Sequence, residues 1–140
     1  MTAMGDCPLC VPADPALLLW AGSRCRVVDA ADPDHPGFCR VVWHRHVAEL
    51  TDLLPADRAH LLAVVGTVEA VLRRLLDPDK VNVASLGNQV PHLHWHVIPR
   101  HRDDAHFPDA VWAPRRRPGA ARSVDVAAIR SLLSMTLPRD

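Results

Sequence analysis

Apolar and polar positions repeat with two different periods along the chain, and the change of period marks out its elements. The segments ALLLWA (16–21) and RCRVVDA (24–30) read as short strands separated by a turn at Gly22-Ser23. After the loop ADPDHPG, GFCRVVW (37–43) reads as a third strand. From Pro55 the period lengthens: Leu61, Leu62, Val64, Val65, Val68, Val71, Leu72 and Leu75 recur at helical spacing along one broad face. Pro55 suits a first helical position, while Asp57 near the start and Arg73-Arg74 near the end complement the helix dipole. DPDK then turns the chain, VNVASL (81–86) reads as a fourth strand, GNQVP as a connection and HLHWHVI (92–98) as a fifth. Pro91, which lacks a backbone donor, fits the entry to that strand. Residues 100–122 read as loop, and Ser123 is placed to cap a final helix carrying Val126, Ile129, Leu132 and Leu133.

Length and charge narrow the classes. With 140 residues, 49% of them hydrophobic, the chain suits one compact domain over 1–140. Its parts are a core over about 7–101, a loop over about 102–122 and a C-terminal helix over about 124–136. Basic and acidic residues balance at 16 each, so no global field draws in nucleic acid or an anionic membrane, and an anionic ligand must be held locally. MTAMGDCPLC has no secretory pattern, and the longest apolar run, ALLLWAG, is too short to cross a bilayer. These features predict a soluble cytoplasmic protein. In a reducing compartment Cys7-x-x-Cys10 points to metal or redox chemistry rather than a disulfide, whereas Cys25 and Cys39, set in apolar runs, read as buried thiols.

The chemistry concentrates in VPHLHWHVIPR (90–100), where His92, His94 and His96 occupy alternate positions. On a strand this lines three imidazoles along one face, neighbours roughly 6.5–7 Å apart, with Leu93, Trp95 and Val97 turned to the core. Three readings compete: a polar strand face, a metal centre built on His-x-His, or a nucleophile with two supporting rings. The third has a definite logic. If one nitrogen of His94 donates to a fixed acceptor, the other presents its lone pair to phosphorus, and His96 can meet charge developing on the phosphoryl or bridging oxygen. Gly87-Asn88-Gln89 ahead of the row supplies flexible backbone and two amides without negative charge.

His92-Leu93-His94-Trp95-His96-Val97-Ile98 resembles the His-φ-His-φ-His-φ-φ signature of the histidine triad (HIT) family of nucleotide hydrolases and transferases. The resemblance extends over about residues 7–101, through CPLC, HVAEL after the third strand, Asn82 and the glycine-polar loop. LGNQVPHLHWHVIPR followed by DDAHFPDAVW is similar to a bacterial subgroup of short HIT proteins. The resemblance implies an α+β fold, a five-stranded antiparallel sheet with one long central helix and a C-terminal helix, paired as a homodimer that binds a nucleotide across the sheet. It implies that His94 attacks the α-phosphorus to give a nucleotidyl-histidine that water resolves, that His96 contacts the phosphate, and that Asn82 positions the nucleotide. In the galactose-1-phosphate uridylyltransferase branch the third position is glutamine, so His96 favours the hydrolases.

One departure is Gly87-Asn88-Gln89-Val90, where many members have Gly-Gln-Ser/Thr-Val, so Gln89 replaces the hydroxyl that would touch phosphate. Zinc-bearing members resemble the set Cys7, Cys10, His46 and His92, which implies a structural ion and catalysis that needs no metal. Strand alternation alone does not separate His46 from His44; the HVAEL resemblance selects His46. The expected activity is hydrolysis of a nucleoside phosphoramidate or dinucleoside polyphosphate. The alternatives are a nucleotide-binding regulatory or scaffold protein with little turnover, a nucleotidyltransferase, or a zinc hydrolase with the triad as ligands. Trp20, Trp43 and Trp95 read as packing residues, His60 as surface, His101 and His106 as the pocket mouth, and Arg115–Arg117 as a solvated loop.

Overall fold

The computed structural model describes residues 4–138. Strands β1 (Leu18–Ala21), β2 (Cys25–Asp29), β3 (Cys39–Trp43), β4 (Lys80–Ala84) and β5 (His94–Arg100) form one antiparallel sheet in the order β1-β2-β3-β5-β4. Helix α1 (Pro55–Leu76) connects β3 to β4, and α2 (Val126–Thr136) follows the long segment after β5. The expected α+β architecture is the one observed. None of the helices is long and apolar enough to cross a membrane among the described residues.

Alternation in the strands divides the sheet into two faces. Cys25, Val27, Cys39, Val41, Trp43, Val81 and Val97 join Leu61, Val64, Val68 and Leu72 of α1 and Ile129 and Leu133 of α2 in the main core. The opposite face carries the histidines, because the register pairs Val42 with His94, Arg40 with His96, and Asn82 with Ile98. Helix α1 starts at Pro55 and ends where Asp77 adopts a left-handed conformation (φ 45°), its N–H returning to the Arg73 carbonyl. Leu62 and Leu75, counted in the apolar stripe, stand 43% and 38% exposed, since the periodic stripe is wider than the strip of α1 that the sheet and α2 cover.

Boundaries differ from the sequence reading. The first four strands are shorter than predicted, and α2 is capped by Asp125, whose carboxylate accepts the Ala128 N–H at 3.1 Å, rather than by Ser123. The fifth strand starts at His94 and runs to Arg100, so His92 precedes it in a bend. There the His92 N–H donates to Val90 (2.8 Å) and the Leu93 N–H to Val47 (2.8 Å) instead of joining the ladder. The row of three is therefore two rings on a strand and one in the turn that feeds it.

Candidate active site and metal centre

That turn separates the roles of the histidines. The His92 ring Nε2–H donates to the Trp43 carbonyl at 2.6 Å, which leaves Nδ1 with its lone pair. Nδ1 faces Cys7 Sγ (3.3 Å), Cys10 Sγ (3.5 Å) and His46 Nδ1 (3.2 Å), and Cys10 Sγ lies 3.2 Å from His46 Nδ1. The donor atoms of all four residues fall within 4.8 Å of one another. A tetrahedral zinc with ordinary bond lengths would set its sulfur–nitrogen edges at about 3.5 Å and its nitrogen–nitrogen edge at about 3.3 Å. The cluster fits such an ion by donor chemistry and spacing. His44 is committed elsewhere, its Nε2–H donating to the Gly22 carbonyl at 2.8 Å.

The same bend fixes His94. Its Nδ1–H donates to the His92 carbonyl (2.5 Å), so Nε2 carries the lone pair, on a ring that lines a cavity of about 520 Å³ on the sheet face away from the helices. Ser85 Oγ–H donates to the His94 carbonyl at 2.7 Å and anchors its backbone. Burial lowers the His94 pKa, as does the nearby Arg40 charge, against the opposing effect of its own hydrogen bond. His96 is pushed down to about 4 by burial and by the neighbouring His94 and Arg40. Both shifts favour the neutral ring. His96 stands edge-on to His94 (ring centroids 4.9 Å apart) and to Trp112 (5.1 Å), with its Nδ1 enclosed and unpartnered.

The cavity is closed by segments far apart in sequence. Pro8 and Leu9, between the two cysteines, form one wall; Asn88, Gln89 and Val90 form another; Arg40 and Trp112 complete it. Gly87 enters the second wall at φ +72°, a conformation that favours glycine. Among the described residues no acidic side chain lines the space. Gln89 is thus at the cavity as expected. Asn82 lies on the histidine face but outside the lining, its Oδ1 accepting from Arg100 at 2.8 Å.

His101 and His106 do not form the mouth. His106 is buried and hydrogen-bonded through Nδ1 to His35 Nε2 at 2.9 Å, and His101 is absent from the lining. Arg115, Arg116 and Arg117 staple the loop: Arg115 holds Asp34, Arg116 holds Asp109, and Arg117 donates to the carbonyls of Asp104 and Phe107. The sequence reading passed over Arg40 and Trp112. Arg40 had a signal, a lone charge inside an apolar strand; Trp112 had none, because only the folded loop brings it to His96.

Fold and site together define a sheet-based histidine pocket suited to an anion, braced by a Cys2His2 cluster. The HIT domain model matches residues 13–103, and the chain belongs to the HIT family. An AP-4-A phosphorylase of Mycobacterium tuberculosis is 36% identical over 81 residues, 54% of this chain and 42% of the relative. The asymmetrical bis(5'-nucleosyl)-tetraphosphatase of Schizosaccharomyces pombe is 31% identical over 86 residues, 58% and 47% of the two chains. The chain therefore spans under half the length of these curated relatives. A histidine triad protein from Marinobacter aquaeolei superposes with TM-score 0.72 at 27% identity, over 86% of this chain and 90% of that one. A zinc-bound family protein from Mycobacterium smegmatis shares the fold with TM-score 0.66 at 22% identity, over 95% and 96%.

Proposed function

We propose that the protein is a nucleotide hydrolase acting at the α-phosphorus of a nucleoside phosphoramidate or dinucleoside polyphosphate, through a nucleotidyl intermediate on His94. The observation that carries this reading is the His94 tautomer: with Nδ1–H tied to the His92 carbonyl, a neutral ring presents its second nitrogen in a cavity that no acidic group among the described residues lines. Nε2 forms a bond to phosphorus as the bond to the leaving group breaks, and a water then displaces the histidine. His96 meets charge on the phosphoryl or bridging oxygen, and Gln89 donates its amide to the phosphate. Asn82, on β4, contributes by holding Arg100 at the far end of the strand that carries His94, or by turning to the nucleotide when it binds. The names of the two curated relatives support a dinucleoside polyphosphate as one substrate class. A phosphorylase among them keeps open a transferase reading in which phosphate replaces water.

Zinc is the ion we place on Cys7, Cys10, His46 and His92, where it would supply structural bracing, because four protein ligands leave no position for substrate. The residues it joins hold both the carbonyl that orients His94 and the Pro8-Leu9 wall of the cavity. We further place the protein in the cytoplasm, in line with four free cysteines, and as a homodimer; the edge strand β4, with Val83 40% exposed, offers a surface for a second copy.

The test is hydrolysis of a substrate chiral at the α-phosphorus, with quenched samples analysed by mass spectrometry. Two in-line displacements retain configuration and leave an adduct on His94; direct attack by a metal-bound hydroxide inverts it. His94→Ala should lower turnover by several orders of magnitude with little loss of nucleotide affinity. Inversion without an adduct would overturn the covalent route.

A further inference from the structure

Among the charged groups on the histidine face, Arg40 stands apart. Arg24, Arg100, Arg115 and Arg116 each hold an aspartate. Arg40 has no ion-pair or hydrogen-bond partner among the described residues; its guanidinium lies over the Phe38 ring, 5.5 Å from the centroid. It sits mid-strand in β3, half-buried, between Cys39 and Val41, both fully buried. The one attractive charge that acts on it, Asp32, lies beyond ion-pair distance; partly burying a guanidinium without a bonded partner is costly, and an apolar residue would serve the strand better. The side chain lines the cavity, and the register sets it directly across from His96.

The geometry points to Arg40 as a specificity-determining residue, a fixed cation that selects substrates whose leaving group departs as an anion. The inference rests on the hydrolase reading above. His94 is paired across the ladder with Val42, so the cation lies one residue pair further along, beside His96. In an in-line displacement the leaving group lies opposite the nucleophile, and its charge grows beyond phosphorus as the bond breaks. When a phosphoanhydride is cleaved, the electron pair of the broken P–O bond stays on the bridging oxygen of the released phosphate chain, which needs a cation and no proton. When a phosphoramidate is cleaved, the P–N pair goes to an amine that must take up a proton as it leaves. Arginine stays protonated, so it serves the first departure and offers nothing to the second. Of the two substrate classes, Arg40 therefore favours the dinucleoside polyphosphate.

The test compares diadenosine tetraphosphate with the adenosine 5'-phosphoramidate of a simple alkylamine, which share the adenylyl group. Arg40→Gln should lower kcat/KM for the tetraphosphate by about 100-fold or more, the scale of losing one transition-state charge contact, with a much smaller loss on the phosphoramidate. Arg40→Lys, which keeps the charge, should recover part of the tetraphosphate rate. Equal losses on both substrates would overturn the assignment, since a structural role or a contact to the adenylyl half affects them alike. A second arm needs no turnover: Arg40→Gln should weaken a methylene-bridged dinucleotide tenfold or more while AMP changes little, and equal weakening would also overturn it. If wild-type protein cleaves neither substrate while the binding contrast holds, the hydrolase reading fails and the anionic subsite stands.

Discussion

Replacing Asp104 by alanine should cost this protein about 3–5 kcal/mol, the range for removing one partner of a buried ion pair. Asp104 is 4% exposed and Arg100, its partner, 2%. The carboxylate accepts from Arg100 Nε (2.9 Å) and a terminal guanidinium nitrogen (3.1 Å), and from the backbone N–H groups of His101 (3.1 Å), His106 (3.0 Å) and Phe107 (2.7 Å). Alanine would leave a desolvated guanidinium with the Asn82 amide and the Phe107 ring but no counter-charge bonded to it, and three N–H groups without their acceptor. For 140 residues the entropy of unfolding is about 0.3 kcal/mol per degree, so the melting temperature should drop by about 10–17 °C. The segment anchored by Asp104 carries Trp112, so the edge contact on His96 should loosen as well, seen as a change in tryptophan fluorescence below the unfolding transition.

The pH dependence has a definite sign. Burial alone would raise the Asp104 pKa, but Arg100 and the three N–H groups outweigh it and hold the carboxyl well below its ordinary value. The unfolded chain therefore binds a proton first. The stabilisation is fully present at neutral pH and is lost as pH falls below about 4. Chemical denaturation across pH 3–7 measures both effects. A loss under about 1 kcal/mol at pH 7, or an Arg100→Met, Asp104→Leu double variant as unstable as Asp104→Ala, would refute the reasoning, since removing both charges together should recover the part of the loss that comes from the stranded guanidinium and leave the part that comes from the three N–H groups.

Two further outcomes follow from the site. Metal analysis should find close to one zinc per chain, absent from a Cys7→Ala, Cys10→Ala variant whose stability falls more than its activity per folded molecule; a metal-free wild type that folds and turns over normally would count against the site. The acid limb of kcat/KM should lie below pH 6.5, because burial favours neutral His94 and activity is lost only as pH falls through that lowered pKa; a midpoint at or above 6.5 would contradict the buried tautomer.

Local pattern carried most of the secondary structure. Period-2 and helical repeats locate β2, β3 and α1 because half-buried strands and helices must place apolar residues at those spacings whatever surrounds them. Cys7-x-x-Cys10 and the triad were legible for a related reason: ligand and nucleophile spacings are short and set by bond lengths. Other features depend on contacts between distant segments. His92 leaves the strand because Leu93 pairs with Val47, and no local pattern announces that hydrogen bond. Asp125 takes the cap in place of Ser123, a choice between two competent residues made by where α2 packs against α1 and β1. His106 turns inward to His35, 71 residues away, and Arg40 stands unpaired beside His96 only because β3 and β5 are neighbours in one register. Pairing and burial of a polar side chain are properties of the assembled sheet: residue type and spacing fix which groups are able to do chemistry, and strand register fixes which of them meet.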